Sequence, residues 1–119
     1  MVYLQFLYHN KNVQKIMEDP KLLQGKVGLE IGKNVKRRLN HLASSPDFYY
    51  YLINVKFGNP HPLSGDLKGY YALSVSPNYR LIVEPISNNR NIESFKDKNE
   101  IYIEGVVEYH GGKYEWIIP

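Results

Sequence analysis

Residues 70–86 read Tyr70-Tyr71-Ala72-Leu73-Ser74-Val75-Ser76-Pro77-Asn78-Tyr79-Arg80-Leu81-Ile82-Val83-Glu84-Pro85-Ile86. From Tyr70 to Val75 the pattern alternates, with Tyr71, Leu73 and Val75 on one face, which marks a strand with one buried side. Ser76-Pro77-Asn78 has turn chemistry, so Tyr79 to Ile86 returns as the second strand of a hairpin. Downstream, Ile101 to His110 is a third strong strand, Gly111-Gly112 breaks it, and Tyr114 to Ile118 adds a terminal one. Residues 2–8 make a β-rich opening, and the polar stretch 87–99 reads as a long loop without regular structure.

The helical signals precede residue 45. Asn10 or Asn12 caps a short helix carrying Val13, Ile16 and Met17 at helical spacing. Asp19-Pro20 is an N-cap followed by proline at the first helical position, and Gly25 marks the stop of a brief helical turn. The main helix runs from Val27 to Ser44, with Ile31, Val35, Leu39 and Leu42 as its apolar stripe and Lys33, Lys36, Arg37 and Asn40 opposite. Ser44-Ser45-Pro46 ends it. Asp47 to Asn54 fits either a short helix or a strand, and Gly58-Asn59-Pro60 is a break. Helices first and a strand meander afterwards predict an α+β domain, with helices on one face of a mostly antiparallel sheet of about four to five strands. Residues 1–119 are expected to form a single domain.

Cysteine is absent, which excludes a disulfide scaffold and thiolate metal sites. The four histidines, at 9, 41, 61 and 110, show no close ligand spacing, so no metal or other cofactor is expected. The N-terminus has no basic region and reads as a first strand, not a signal peptide. The longest apolar run, Phe48 to Ile53, is far short of the ~18 residues of a membrane span, so a soluble, cytoplasmic protein is expected. A net charge of +3 and a pI near 9.0 favour a nucleic-acid partner. The eleven tyrosines add stacking faces and hydroxyls, which suit RNA better than a small apolar ligand.

Three quoted segments carry a family resemblance. They are His61-Pro62-Leu63-Ser64-Gly65-Asp66-Leu67-Lys68-Gly69-Tyr70-Tyr71, then Asn78-Tyr79-Arg80-Leu81-Ile82, and Glu108-Tyr109-His110. In order, spacing and strand context this set resembles the HigB ("killer protein") branch of the RelE/ParE toxin superfamily, which has His-Pro-Leu-Lys-Gly-Asp, a Gly-Tyr-Trp strand, an Asn-Trp-Arg strand and a final Asp-Tyr-His. The chain departs from that pattern at Ser64 in place of lysine, at Tyr71 and Tyr79 in place of tryptophan, and at Glu108 in place of aspartate. Its 87–99 loop and the tail after His110 are also longer than usual.

The resemblance implies a curved RelE-like sheet and a metal-independent endoribonuclease toxin that cleaves messenger RNA in the ribosomal A site. It also implies a cognate helix-turn-helix, HigA-like antitoxin. Cleavage in this class uses the substrate's own 2′-hydroxyl, and so needs a base, an acid and a fixed cation for the phosphorane. His61 and His110 are the candidate base and acid, because imidazole works in either role near neutrality. Arg80 supplies a forked cation for phosphate, and Lys68 stands in for the lysine missing at Ser64. Tyr109 stacks on a base, orients the phosphate or packs in the core, and Glu108 orients a histidine or simply finishes the strand. Lys33, Lys36, Arg37 and Arg38 would grip ribosomal RNA phosphates, or form an ordinary solvated helix face. The alternatives are a ParE-like toxin, which binds DNA gyrase and cleaves no RNA, and a catalytically degenerate relative.

Overall fold

The first third of the chain folds as separate short helices because its caps punctuate it. A computed structural model of the chain describes residues 3–87, 89 and 91–119. Val2, assigned to the opening strand, and Asn88 and Arg90 of the polar loop lie outside the described residues. After strand β1 (Gln5–Leu7), Asn10 accepts hydrogen bonds from the backbone N–H groups of Asn12 and Val13 and starts α1 (Lys11–Glu18). Asp19 caps α2 (Pro20–Val27) in the same way, with Pro20 at its first position. Gly25 does not stop this helix, because an interior glycine only weakens it. The stop is Gly28, whose φ of 89° is left-handed and which also opens α3 (Leu29–Ala43). Gly32, Val35, Leu39 and Leu42 form the buried stripe of α3, and Ile31 packs partly buried beside them.

The ambiguous 47–54 stretch is helical. Asp47 accepts from the Tyr50 N–H at 2.7 Å and nucleates α4 (Phe48–Tyr50), which widens into a π-helical turn over Tyr51–Val55. The other carboxylate oxygen of Asp47 accepts from the Asp97 N–H at 2.9 Å, tying the helix to the polar loop. Asp47→Ala therefore removes a cap and orphans a second, partly buried N–H. Denaturant unfolding is expected to show a loss of about 2 kcal/mol, and an unchanged midpoint would refute the tie.

Strands β2 (His61–Pro62), β3 (Tyr71–Ser74), β4 (Tyr79–Pro85), β5 (Glu100–His110) and β6 (Lys113–Ile118) complete a six-stranded sheet. The sheet thus exceeds the expected four to five strands, because the short β1 and β2 pair at its edges. Its order is β1-β5-β4-β3-β2, antiparallel except for the parallel β1–β5 pair. β5 is long enough for two neighbours on one edge: Glu100–Tyr102 pair with β1 and Val106–His110 with β6. The helices cover one sheet face, where Tyr71, Leu73, Val75, Leu81, Val83, Ile101 and Ile103 bury against Val13, Met17, Leu39 and Phe48.

The 87–99 loop is not structureless. Asn91 caps a 3-10 turn over Ile92–Phe95, and Phe95 is 4% exposed, packed against Phe48 and Tyr71 at centroid distances of 5.9 and 6.0 Å. One aromatic side chain is enough to pin a loop whose composition is otherwise polar.

Candidate active site

The sheet face away from the helices carries a small apolar island, Ala72, Ile82 and Val107, covered by Leu63, Tyr70 and Tyr114. Arg80 precedes Ile82 by two residues and pairs with Val107, so it emerges on this same open face. Its Nη1 donates to the turn carbonyls of Ser76, Pro77 and Tyr79 at 2.9, 3.1 and 3.1 Å. These bonds anchor one arm of the guanidinium, and Nε and Nη2 have no acceptor among the described residues. The guanidinium carbon lies 5.8 Å from the centroid of the Tyr109 ring, which also meets Tyr114 at 5.0 Å. A preoriented fork beside two aromatic rings suits a phosphate and its base.

His110 closes the same strand, and alternation sends it to the other face from Tyr109. There its Nδ1 lies 4.0 Å from Glu108 and its Nε2 3.6 Å from Glu115, with the ring 57% exposed. The β5–β6 connection is Gly111-Gly112, with φ of 58° and 77°, the two left-handed residues a tight hairpin requires. The Arg80 guanidinium and the His110 imidazole thus stand on opposite faces of the sheet beside one hairpin tip, and the tip carries no side chain.

Other candidate residues stand elsewhere. His61 pairs with Ala72, which aligns through Ile82 with Gly105, so it is three strands from β5 and five residues short of His110. That is about 14 Å across the sheet and about 17 Å along it. The structure does not bring the two histidines together, because β2 takes one edge of the sheet while the β5–β6 tip sits beyond the other. His61 Nδ1 instead faces its own loop, 3.2 Å from the Asn59 carbonyl. Lys68 follows a 3-10 turn over Gly65–Leu67 and lines, with Ser64, a cleft of about 680 Å³. It therefore occupies the neighbourhood of the missing lysine, but at the end of the sheet away from Arg80.

On α3, Lys33, Lys36 and Arg37 are exposed on the helical layer, away from the open face. Arg38 departs from that set. Its Nε donates to the Ser74 carbonyl at 3.0 Å and its Nη1 meets His41 Nδ1 at 3.1 Å, so it fastens α3 to the end of β3. His41 stacks on Phe57 at 4.1 Å, and burial, then Arg38 and Arg37, push its pKa down.

No protein-family model matches the chain, and no curated protein matches it in sequence. Among solved structures, a YoeB/ParE toxin from Agrobacterium tumefaciens superposes with a TM-score of 0.54 at 12% identity, covering 90% of this chain and 99% of that one. YafQ from E. coli strain BL21(DE3) superposes with a TM-score of 0.52 at 17% identity, covering 87% of this chain and 90% of that one. The fold is RelE-like.

On this RelE-like frame the open face holds a second polar group that residue spacing does not reveal. His9, Glu84 and Glu104 converge from the end of β1, from β4 and from β5. Burial first, and then the adjoining Glu84 carboxylate, raise the Glu104 pKa to about 7, with His9 pulling the other way. The Tyr70 hydroxyl nearby is also pushed up, by burial first and then by Glu104 and Glu84. In the sequence, the alternation of Arg80, Ile82 and Glu84 along one strand places Glu84 on the open face, but nothing pairs it with His9 or Glu104. No helix among the described residues is long and apolar enough to cross a membrane.

Proposed function

We propose that the chain is the toxin of a toxin–antitoxin pair, a ribosome-dependent mRNA endonuclease of the HigB type. The observation that carries this reading is the Arg80–Tyr109 pair at the hairpin tip, an anchored guanidinium with uncommitted donors beside a stacking face. In the proposed reaction the substrate 2′-oxygen attacks the adjacent phosphorus, the bond from phosphorus to the 5′-oxygen breaks, and a 2′,3′-cyclic phosphate remains. Glu108 takes the 2′ proton and His110 protonates the departing 5′-oxygen, while Arg80, on the other face of the sheet, holds a flanking phosphate of the same strand. Tyr109 stacks on the neighbouring base, and the glycine tip lets the RNA backbone pass between the two faces. His61 has no part in this step, being an edge residue on the far side of the sheet.

The exposed, two-sided arrangement also supports the ribosome requirement. Groups that do not converge in a closed pocket contribute little alignment, and an external scaffold must hold the RNA in line. On this reading Lys33, Lys36 and Arg37, exposed on α3, would meet ribosomal RNA phosphates, and Lys68, at the cleft beside Ser64, would meet the mRNA backbone. A helix-turn-helix, HigA-like antitoxin is the proposed partner that neutralises the chain, on the strength of the motif resemblance.

Purified chain is expected to cut ribosome-bound mRNA and to leave the same naked RNA nearly intact. Mapping 5′ ends with and without ribosomes checks this, and equal rates on both substrates would make the chain a general nuclease. A second reading, a ParE-like gyrase toxin that cleaves no RNA, gains from the separation of His61 and His110, which leaves no histidine pair for acid–base cleavage. Toxicity with unchanged mRNA 5′ ends and loss of gyrase supercoiling would select that reading.

A further inference from the structure

The cluster on the open face lies at the other end of the sheet from the hairpin tip, and the proposed cleavage does not use it. His9 Nε2 is 3.1 Å from Glu84 Oε1 and 3.5 Å from Glu104 Oε2. One ligand atom from each residue lies within 4.8 Å of the other two. The His9 ring stacks on Tyr102, centroids 3.6 Å apart and planes 10° from parallel, which fixes the direction of its nitrogens.

Glu104 carries the signal that this is more than a surface ion pair. It sits where the β4–β5 register slips, between the partners of Ile82 and Val83, and the slip leaves it without a directly paired residue. Its side chain is only 11% exposed, and its buried Oε2 has no hydrogen-bond partner among the described residues. His9 Nε2, 3.5 Å away, makes no hydrogen bond to that oxygen, and a buried carboxylate oxygen left unbonded is costly; either a proton or a cation relieves it. The spacing favours a cation. Ligands bound tetrahedrally at about 2.0–2.2 Å stand about 3.3–3.6 Å from one another. The two distances from His9, 3.1 and 3.5 Å, fall close to that edge length before any ion draws the groups in.

We propose that His9, Glu84 and Glu104 form a binding site for a divalent transition metal of the zinc class, three protein ligands with a fourth position open to water. Imidazole with carboxylates suits zinc, whereas magnesium and calcium favour an all-oxygen shell. Two carboxylates and a neutral imidazole also balance a double positive charge. The ion joins the segment after β1 to β4 and β5, so its binding couples directly to fold stability. This site stands independently of the RNA-cleavage reading, and its test measures no cleavage.

The test uses the untagged full chain, stripped with chelator and dialysed against zinc chloride or magnesium chloride. Zinc is expected to bind at one equivalent per chain and to raise Tm by about 5–10 °C at a hundredfold excess over its dissociation constant. Magnesium should leave Tm unchanged. His9→Ala, at an exposed position, and Glu104→Gln should each lose the bound zinc while keeping the parent's far-ultraviolet circular dichroism. A parent chain that retains no zinc overturns the site, as does His9→Ala retaining it like the parent. If zinc does nothing and Glu104→Gln raises Tm of the metal-free chain, Glu104 simply carries a proton, and the metal assignment fails.

Discussion

His110→Ala is expected to lower cleavage of ribosome-bound mRNA by about 10²–10⁴-fold, the loss that removal of the proposed general acid would bring. Tm should hardly move, because the ring is 57% exposed and its two neighbours, Glu108 and Glu115, are themselves partly solvated. The useful comparison is His61→Ala. Both histidines sit within recognisable motifs, yet His61 lies on the opposite edge strand with its ring against the Asn59 carbonyl. Its replacement should leave the cleavage rate close to that of the parent. Equal losses from the two variants would mean that the RNA bridges the sheet from edge to edge, and the hairpin-tip assignment would be wrong. A fully active His110→Ala variant would remove the imidazole from the chemistry altogether.

Gly105→Ala is expected to destabilise the fold by about 2–5 kcal/mol, with a fall in Tm of about 10–20 °C. Gly105 lies in β5 just before the segment that pairs with β6, at a φ of 147° that side chains rarely adopt. A Cβ built there would stand 1.8 Å from the backbone oxygen of Ile118 and 3.1 Å from Cζ3 of Trp116. The carbonyl cannot step aside cheaply, since Ile118 is fully buried and pairs with Val106. Gly112→Ala is the control. It too has positive φ, at 77°, but nothing lies within 4 Å of its Cβ position, so only the backbone cost of about 1–2 kcal/mol remains. If both variants melt together, the close approach at Ile118 does not constrain the sheet.

The two variants also separate what is legible locally from what is not. Tyr109-His110 before Gly111-Gly112 is visible as a strand end in the sequence, and the structure keeps it so. Gly105 gives no such sign, because its need for a bare backbone comes from a strand thirteen residues later that returns against it. Phe95 is similar: nothing in a run of polar neighbours says that one ring docks between Phe48 and Tyr71. Arg38 belongs by spacing to a solvated basic face, yet a carbonyl of β3 draws it inward.

By itself the sequence narrowed the first cap to Asn10 or Asn12 and determined the cap at Asp19, the helix end at Ser44-Ser45-Pro46, the hairpin turning at Ser76-Pro77-Asn78, and the core face of Tyr71, Leu73 and Val75. Each follows from hydrogen bonds or periodicity within a few residues, where chain connectivity already sets the geometry. Only the tertiary structure decided which strands are neighbours. Pairing β1 and β6 along one edge of β5, and β2 at the opposite edge, parted His61 from His110 and brought His9 to Glu84 and Glu104. Alternation names the face on which a side chain stands but not the strand beside it, and that choice rests on burying the whole sheet against the helices.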